Sequence, residues 1–356
     1  MKIKHYLFCL LLNYFLLFSC ADNRPSTIED VSDIPQDEIQ FPQNLLIEEK
    51  ESVKVFTHTP DGIPFYRPLF IRYNKYDDKV YVTDTWNNRI VVFDAELNYI
   101  TEFGTYGQVP GEFDWPSGIE FFENGDFIVT DLSNSRIQLF DKNFKYISSL
   151  SIRGSLGFEY YIRINSKGNI LVNIPNDDSL FTVMDNKWKE LTKFGEIIKY
   201  KRKGYQGVHN LLHYTFDEQE NLYCAFINNP VLRKYDNNNK LVYEKNILSF
   251  PPIQKQLEIW KNKWKTKESN WPGYIYPYLI RSISVDNEYQ YLNCKDGTLY
   301  VLDKNDAHVV KSVVFKMPID YSLSVPSSPR INCYDFSAKN HVYAVGSNGP
   351  VAMFNK

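Results

Sequence analysis

The chain has 356 residues, 43% of them hydrophobic and 16% aromatic, and a formal net charge of −3 at pH 7. That is enough apolar material for a sizeable core. Lysine and arginine form neither a dense block nor a basic half, so the phosphate-neutralising surface that DNA or RNA demands is excluded.

Met1 to Ser19 reads as a signal peptide: Lys2 and Lys4 form the charged start, Tyr6 to Phe18 the apolar run, and small residues follow. The apolar run is too short to span a bilayer. It ends in Leu17-Phe18-Ser19-Cys20, which resembles a bacterial lipobox. The resemblance implies a mature protein that starts at Cys20, with acyl chains such as palmitate on that residue as its membrane anchor. Loss of the two leader lysines moves the formal charge from −3 to −5.

Residues 20–50 are rich in Asp and Glu, with Pro25, Pro35 and Pro42 between them, and are expected to be a flexible acidic tether. A flexible coil of about 25 residues would span on the order of 25 to 30 Å. The globular part is expected over residues 51–356.

Within it, Val80 to Ile100 and Phe127 to Ile147 agree at ten of 21 positions, in register at an offset of 47 residues. They share Val-Thr-Asp, Asn, Arg-Ile, Phe-Asp and Tyr-Ile. Alternating apolar and polar residues between turn signals predict four short antiparallel strands per unit, which in the first unit are Pro68–Tyr73, Lys79–Thr83, a run from Arg89 to Phe93, and Tyr99–Phe103. Asp84 and Arg89 face each other across a tight turn and can pair. Units of this size with four strands predict propeller blades.

The Val-Thr-Asp…Asn-x-Arg-Ile…Phe pattern, with Pro116-Ser117-Gly118-Ile119 ahead of its second copy, resembles the NHL family of β-propeller repeats. The resemblance implies a propeller and leaves the activity open, because such scaffolds serve both binding proteins and enzymes. Together with the lipobox it points to the NHL-repeat lipoproteins of Gram-negative bacteria, and so to the cell envelope and the outer membrane.

An apolar-Asp step closing the third strand recurs at Asp94, Asp141, Asp185, Asp236 and Asp303, with Asn355 as a sixth. Six four-stranded blades are therefore expected. The chain leaves no room for a last fourth strand, so Ser52–Thr57 is expected to close blade six. One interval is long. It holds an insertion over residues 251–278 between blades four and five, in which Ile253, Leu257, Trp260 and Trp264 follow a helical period and Lys255, Lys261, Lys263, Lys265 and Lys267 lie opposite.

Cys224, Cys294 and Cys333 remain after Cys9 and Cys20 are set aside; strand-like surroundings make Cys224 and Cys294 buried thiols, and one disulfide among the three is left open. Nucleophile-elbow, P-loop and His-Glu-x-x-His signatures are absent from the sequence, so no catalytic residue and no metal ligand is assigned. His209 and His213 are expected to be half-exposed on one side of a strand. Asp236 begins a predicted hairpin turn.

The candidate ligand-binding residues are Arg72, Arg163 and Arg281, each in an Ile-Arg step on an expected innermost strand, and Trp271, Tyr274 and Tyr276 in the aromatic end of the insertion. Convergent guanidinium groups suit carboxylate or phosphate, and aromatic rims suit sugars or peptide side chains. The function expected is a lipid-anchored ligand-binding or protein-interaction module, with the membrane, an anionic, glycan or peptide ligand, or an envelope protein as partner and no cofactor. The alternative is a metal-dependent lyase or lactonase-like hydrolase with a divalent ion in the central channel.

Overall fold

The computed structural model describes residues 35–152, 162–174, 178–200, 206–265, 277–316, 331–336, 341–346 and 350–355. Strand β1 (Ile47–Phe56) precedes four four-stranded antiparallel sheets. The first comprises β2 (Phe70–Asn74), β3 (Lys79–Asp84), β4 (Arg89–Asp94) and β5 (Tyr99–Phe103). The second holds β6 (Pro116–Phe121), β7 (Phe127–Asp131), β8 (Arg136–Phe140) and β9 (Tyr146–Ser151). The third holds β10 (Ile162–Ile164), β11 (Ile170–Asn173), β12 (Ser179–Met184) and β13 (Glu190–Glu196). After the short helix α1 (Gln206–His209), the fourth holds β14 (Leu212–Phe216), β15 (Leu222–Phe226), β16 (Val231–Tyr235) and β17 (Leu241–Asn246). Helix α2 (Pro251–Lys265) leads to β18 (Ile280–Val285), β19 (Tyr289–Cys294), β20 (Leu299–Asp303), β21 (Val309–Lys316), β22 (Ile331–Phe336), β23 (His341–Gly346) and β24 (Val351–Asn355).

These last seven strands do not form two blades. They join with β1 into one eight-stranded sheet in the order β18-β19-β20-β21-β1-β24-β23-β22. The expectation of six separate four-stranded blades is thus overturned: four four-stranded sheets stand in a propeller arrangement beside one eight-stranded sheet. The cause is the length of β1. Its second half pairs antiparallel with β24, from Ser52↔Phe354 to Phe56↔Val351, while its first half pairs in parallel with β21, from Ile47↔Ser312 to Glu51↔Lys316. A strand expected to close one blade instead bonds on both sides and fuses its neighbours.

The acidic tether is shorter than expected. From Pro35 the chain already lies on the folded body: Ile39 is buried and pairs its N–H with the Asn246 carbonyl at 2.9 Å, and the Phe41 ring packs edge-on against Phe250 and Tyr300. Three apolar residues, Ile39, Phe41 and Leu45, interleave with the charges of this stretch and join the cluster of Ile253, Leu257 and Leu292.

The repeated polar motif is a staple. In the first sheet, Asp84 is fully buried and accepts from Asn87 Nδ2 (2.7 Å), the Tyr66 N–H (2.8 Å) and Arg89 Nε (2.8 Å). In the second, Asp131 accepts from the Asp114 N–H (2.7 Å), Asn134 Nδ2 (2.9 Å) and Arg136 Nε (2.7 Å). Burial raises both carboxyl pKa values above their ordinary range, against the pull of these donors. One carboxylate therefore ties a strand turn to the segment that enters the first strand of its sheet, which is why Asp, Asn and Arg recur at fixed spacing.

The second recurring aspartate caps the turn after the third strand. Asp94, Asp141, Asp185 and Asp236 each accept through Oδ1 from the backbone N–H groups two and four residues on. The residue before the second of these donors, Leu97, Phe144, Trp188 or Asn239, is held at φ between 54° and 68°. Asp303 caps a similar turn whose left-handed residue is Ala307. No helix among the described residues is long and apolar enough to cross a membrane.

Candidate ligand-binding site

Strands β2, β6, β10 and β14, the first of each four-stranded sheet, and β18 and β22, the two edges of the eight-stranded sheet, lie side by side in that order, and β22 returns to β2, so they surround an axis. Cross-strand register fixes which residues share a level. Arg72 pairs with Tyr81, Glu120 with Ile128, Arg163 with Leu171, Thr215 with Tyr223, Ser284 with Tyr291 and Asp335 with Tyr343, and these partners hold equivalent places on the second strands. All but Arg72 are buried, and Arg72 is half-buried.

Four of these six form one ionic cluster. Arg72 reaches Glu120 Oε2 at 3.0 Å and Asp335 Oδ1 at 3.2 Å, and Arg163 Nη1 reaches the same Glu120 oxygen at 3.4 Å. Asp335 Oδ2 also accepts the Tyr73 N–H at 2.7 Å. Burial works against the Arg72 charge, but Asp335 and Glu120 outweigh it and raise its pKa above the ordinary arginine value. Arg163 is shifted the other way, by burial and then by the neighbouring Arg72. Two guanidinium groups thus face two carboxylates, an arrangement that tolerates burial because each charge has an opposite partner.

The three expected arginines do not meet. Arg72 and Arg163 share Glu120, whereas Arg281 lies at a β-bulge between Ile280 and Ser282 and donates from Nε to the Lys295 carbonyl at 3.1 Å. On β18 the residue at the level of Arg72 and Arg163 is Ser284, three residues beyond Arg281. Trp271, Tyr274, Tyr276 and Cys20 lie outside the described residues. Of the expected α2 stripe, Ile253, Leu257 and Trp260 are buried, and Lys255 and Lys261 are exposed opposite them.

His209 and His213 are both buried and stand on different elements, α1 and β14, rather than half-exposed on one strand. Burial depresses the His209 imidazole to about 4, and its ring stacks on Tyr200 at 4.5 Å. His213 meets the Ile280 carbonyl through Nε2 at 3.2 Å and is pushed down to about 3 by burial, with Arg163 and Arg281 adding to the effect. Both are neutral at physiological pH. Cys224, Cys294 and Cys333 are buried free thiols, and burial pushes Cys333, next to the axis, up to about 12. A depressed thiol pKa is what a nucleophilic cysteine requires, so this one is poorly suited to attack.

Among the described residues one group of three metal-capable side chains occurs, Asp303, Asp306 and His308. It lies in the turn between β20 and β21, and His308 Nδ1 already meets Asp306 at 2.7 Å. Glu120 and Asp335 were not anticipated from sequence. Their signal is slight: an acidic residue between two large apolar ones, Ile119-Glu120-Phe121 and Tyr334-Asp335-Phe336, on a short strand.

The sheets define the fold as a β-propeller, and NHL repeats occupy its first two sheets. The NHL repeat model matches residues 65–93 and 113–140, the two stapled units. No curated protein matches the chain by sequence. Among solved structures, the fold is similar to that of a Bacteroides fragilis protein described as exported, with 12% identity over 88% of this chain and 99% of that one and a TM-score of 0.56. It is also similar to streptogramin B lyase, with 13% identity, coverage of 83% and 81% and a TM-score of 0.51. A catalytically inactive histidine-to-alanine variant of virginiamycin B lyase from Staphylococcus aureus, solved with quinupristin, aligns at 12% identity, coverage of 81% and 80% and a TM-score of 0.51. At such identities the likeness concerns the fold.

Proposed function

We propose that the protein is an extracytoplasmic binding module, held at the cell envelope by acyl chains on Cys20, that receives an anionic ligand at the axial cluster. The observation that carries the ligand site is the meeting of Arg72, Glu120, Arg163 and Asp335 from four strands around the axis, with Arg72 still partly open to solvent. A ligand carboxylate would compete with Glu120 or Asp335 for Arg72, a bidentate partner of fixed geometry. Arg281, Trp271, Tyr274 and Tyr276 would extend the site toward a glycan or peptide. The leader and lipobox support an outer-membrane location, in keeping with the exported protein of similar fold.

Titration with galacturonate oligomers and with an acidic peptide tests the site. Arg72→Ala should weaken whichever binds by about tenfold or more, as loss of a charge-assisted contact does; absence of binding by both would overturn the anionic reading. Mass spectrometry of the mature N-terminal peptide tests the anchor, because an unmodified Cys20 would remove it.

A second reading, a metal-dependent lyase with its site in the channel, draws on the similarity in fold to streptogramin B lyase. Elemental analysis of the purified protein decides it. A stoichiometric divalent metal would favour the enzyme.

A further inference from the structure

The chain enters the folded body beside helix α2. The Asn246 side chain donates to the Pro35 carbonyl at 2.6 Å, the Asn246 N–H to the Asp37 carbonyl at 2.9 Å, and Ser249 Oγ to the Ile39 carbonyl at 2.5 Å. Lys245 pairs with Asp37 at 2.9 Å. Phe250, against which Phe41 packs, directly precedes Pro251, the first residue of α2. The base of the helix is therefore the point from which the N-terminal segment departs.

Along α2, Ile253, Leu257 and Trp260 turn inward, while Gln254, Lys255, Glu258, Ile259, Lys261 and Asn262 are exposed, Ile259 at 39%. The helix carries Lys255, Lys261, Lys263 and Lys265 against the single acid Glu258, in a chain that is otherwise net acidic. Neither Lys255 nor Lys261 has an ion-pair partner among the described residues.

We propose that the exposed face of α2 is a membrane-contact surface for anionic phospholipid headgroups. The inference rests on the reading of Cys20 as the acylated residue. Fifteen residues separate Cys20 from Pro35, a reach of at most ~50 Å even when fully extended, so the end of the body that bears α2 is tied close to the bilayer. Lysines beside a lipid anchor act as its second signal, since each cation near an anionic surface adds attraction that vanishes beyond a Debye length. Ile259 among them offers a small apolar contact for the interfacial zone. The acidic remainder of the surface is repelled by the same bilayer, which selects this face over others.

Lysine acylation footprinting on the purified protein tests the proposal. The protein is placed in phosphatidylcholine vesicles with and without phosphatidylglycerol, and in detergent. Lys255 and Lys261 should react roughly fivefold more slowly on anionic vesicles than in detergent, as an attraction of the expected size per lysine implies. Protection should disappear in pure phosphatidylcholine or at high salt, and exposed lysines elsewhere, Lys142 and Lys187, should show no change. Equal reactivity of Lys255 and Lys261 in all three settings overturns the contact, as does protection that follows the vesicle but not its charge. The mass of the N-terminal peptide is read in the same experiment. If Cys20 carries no acyl chain the anchor fails on that measurement alone, and the footprint still reports whether the helix meets the lipid.

Discussion

Arg72 on β2 and Arg163 on β10 are bound to one oxygen of Glu120, which lies on the sheet between them. Glu120 is therefore the keystone of the axial cluster, and its loss should be felt by both cations. Arg72 keeps Asp335, but Arg163 loses this carboxylate while staying buried. Glu120→Ala should cost about 3 to 5 kcal/mol, the usual result of removing one partner from a buried ionic group. Adding Arg163→Met should restore part of that loss. Urea denaturation of the single and double variants checks this, and a double variant less stable than Glu120→Ala would contradict the pairing.

The staple of the NHL units makes a separate prediction about the asymmetry of its partners. Asp131 is wholly buried and satisfies Arg136, Asn134, Gln138 and a backbone N–H, whereas Arg136 is 12% exposed and also donates to the carbonyls of Gln108, Val109 and Glu112. Removing the acceptor strands several donors at once. Asp131→Ala should thus destabilise by about 3 to 5 kcal/mol and Arg136→Ala by less. Chemical denaturation with both variants gives the order directly.

Stability should fall on acidification, in part through the axial histidine. His213 titrates near its ordinary 6.5 when unfolded and at about 3 when folded. Between those values the unfolded state binds more protons, so the contribution is fully present above pH 6.5 and is lost as pH falls toward 3. His209, depressed to about 4, acts in the same direction. The slope due to one such group cannot exceed about 1.4 kcal/mol per pH unit. In unfolding measurements between pH 4 and 7, His213→Gln should show a shallower dependence than the wild type. Parallel curves would mean that His213 does not titrate in this range.

Parts of this architecture could be read from sequence and parts could not, and separation along the chain explains the difference. Asp84 and Arg89 are five residues apart, so their pairing follows from the turn itself, and the Asp-capped turns are local in the same way. Arg72 and Asp335 are 263 residues apart, and two alternating strands say nothing about what faces them across an axis. The Ile-Arg step of β18 misled because it falls three residues before Ser284, the residue at that level of the axis, and alternation alone does not show where along a strand that level lies. The two-sided pairing of β1 was equally hidden. Its parallel and antiparallel halves have the same alternation, and only the hydrogen-bond partners differ.

The N-terminal segment offers the sharpest test of the difference between tether and structure. If residues 35–50 were a solvated linker, removing residues 1–50 would leave stability unchanged. Instead this stretch buries Ile39, packs Phe41 on Phe250 and Tyr300, and supplies the half of β1 that pairs with β21. Three truncations separate the contributions. Deleting residues 1–34 should leave the melting temperature of the body unchanged. Deleting through Lys50 should destabilise it, with burial of Ile39 alone contributing about 1.5 to 3 kcal/mol and the half-buried Phe41 adding to that. Deleting through Thr57 removes the pairing with β24 as well, exposes the edges of β21 and β24 and should cause further destabilisation or aggregation. Calorimetric melting of the three proteins gives the ranking, and equal melting temperatures for the first two would return residues 35–50 to the role of a linker.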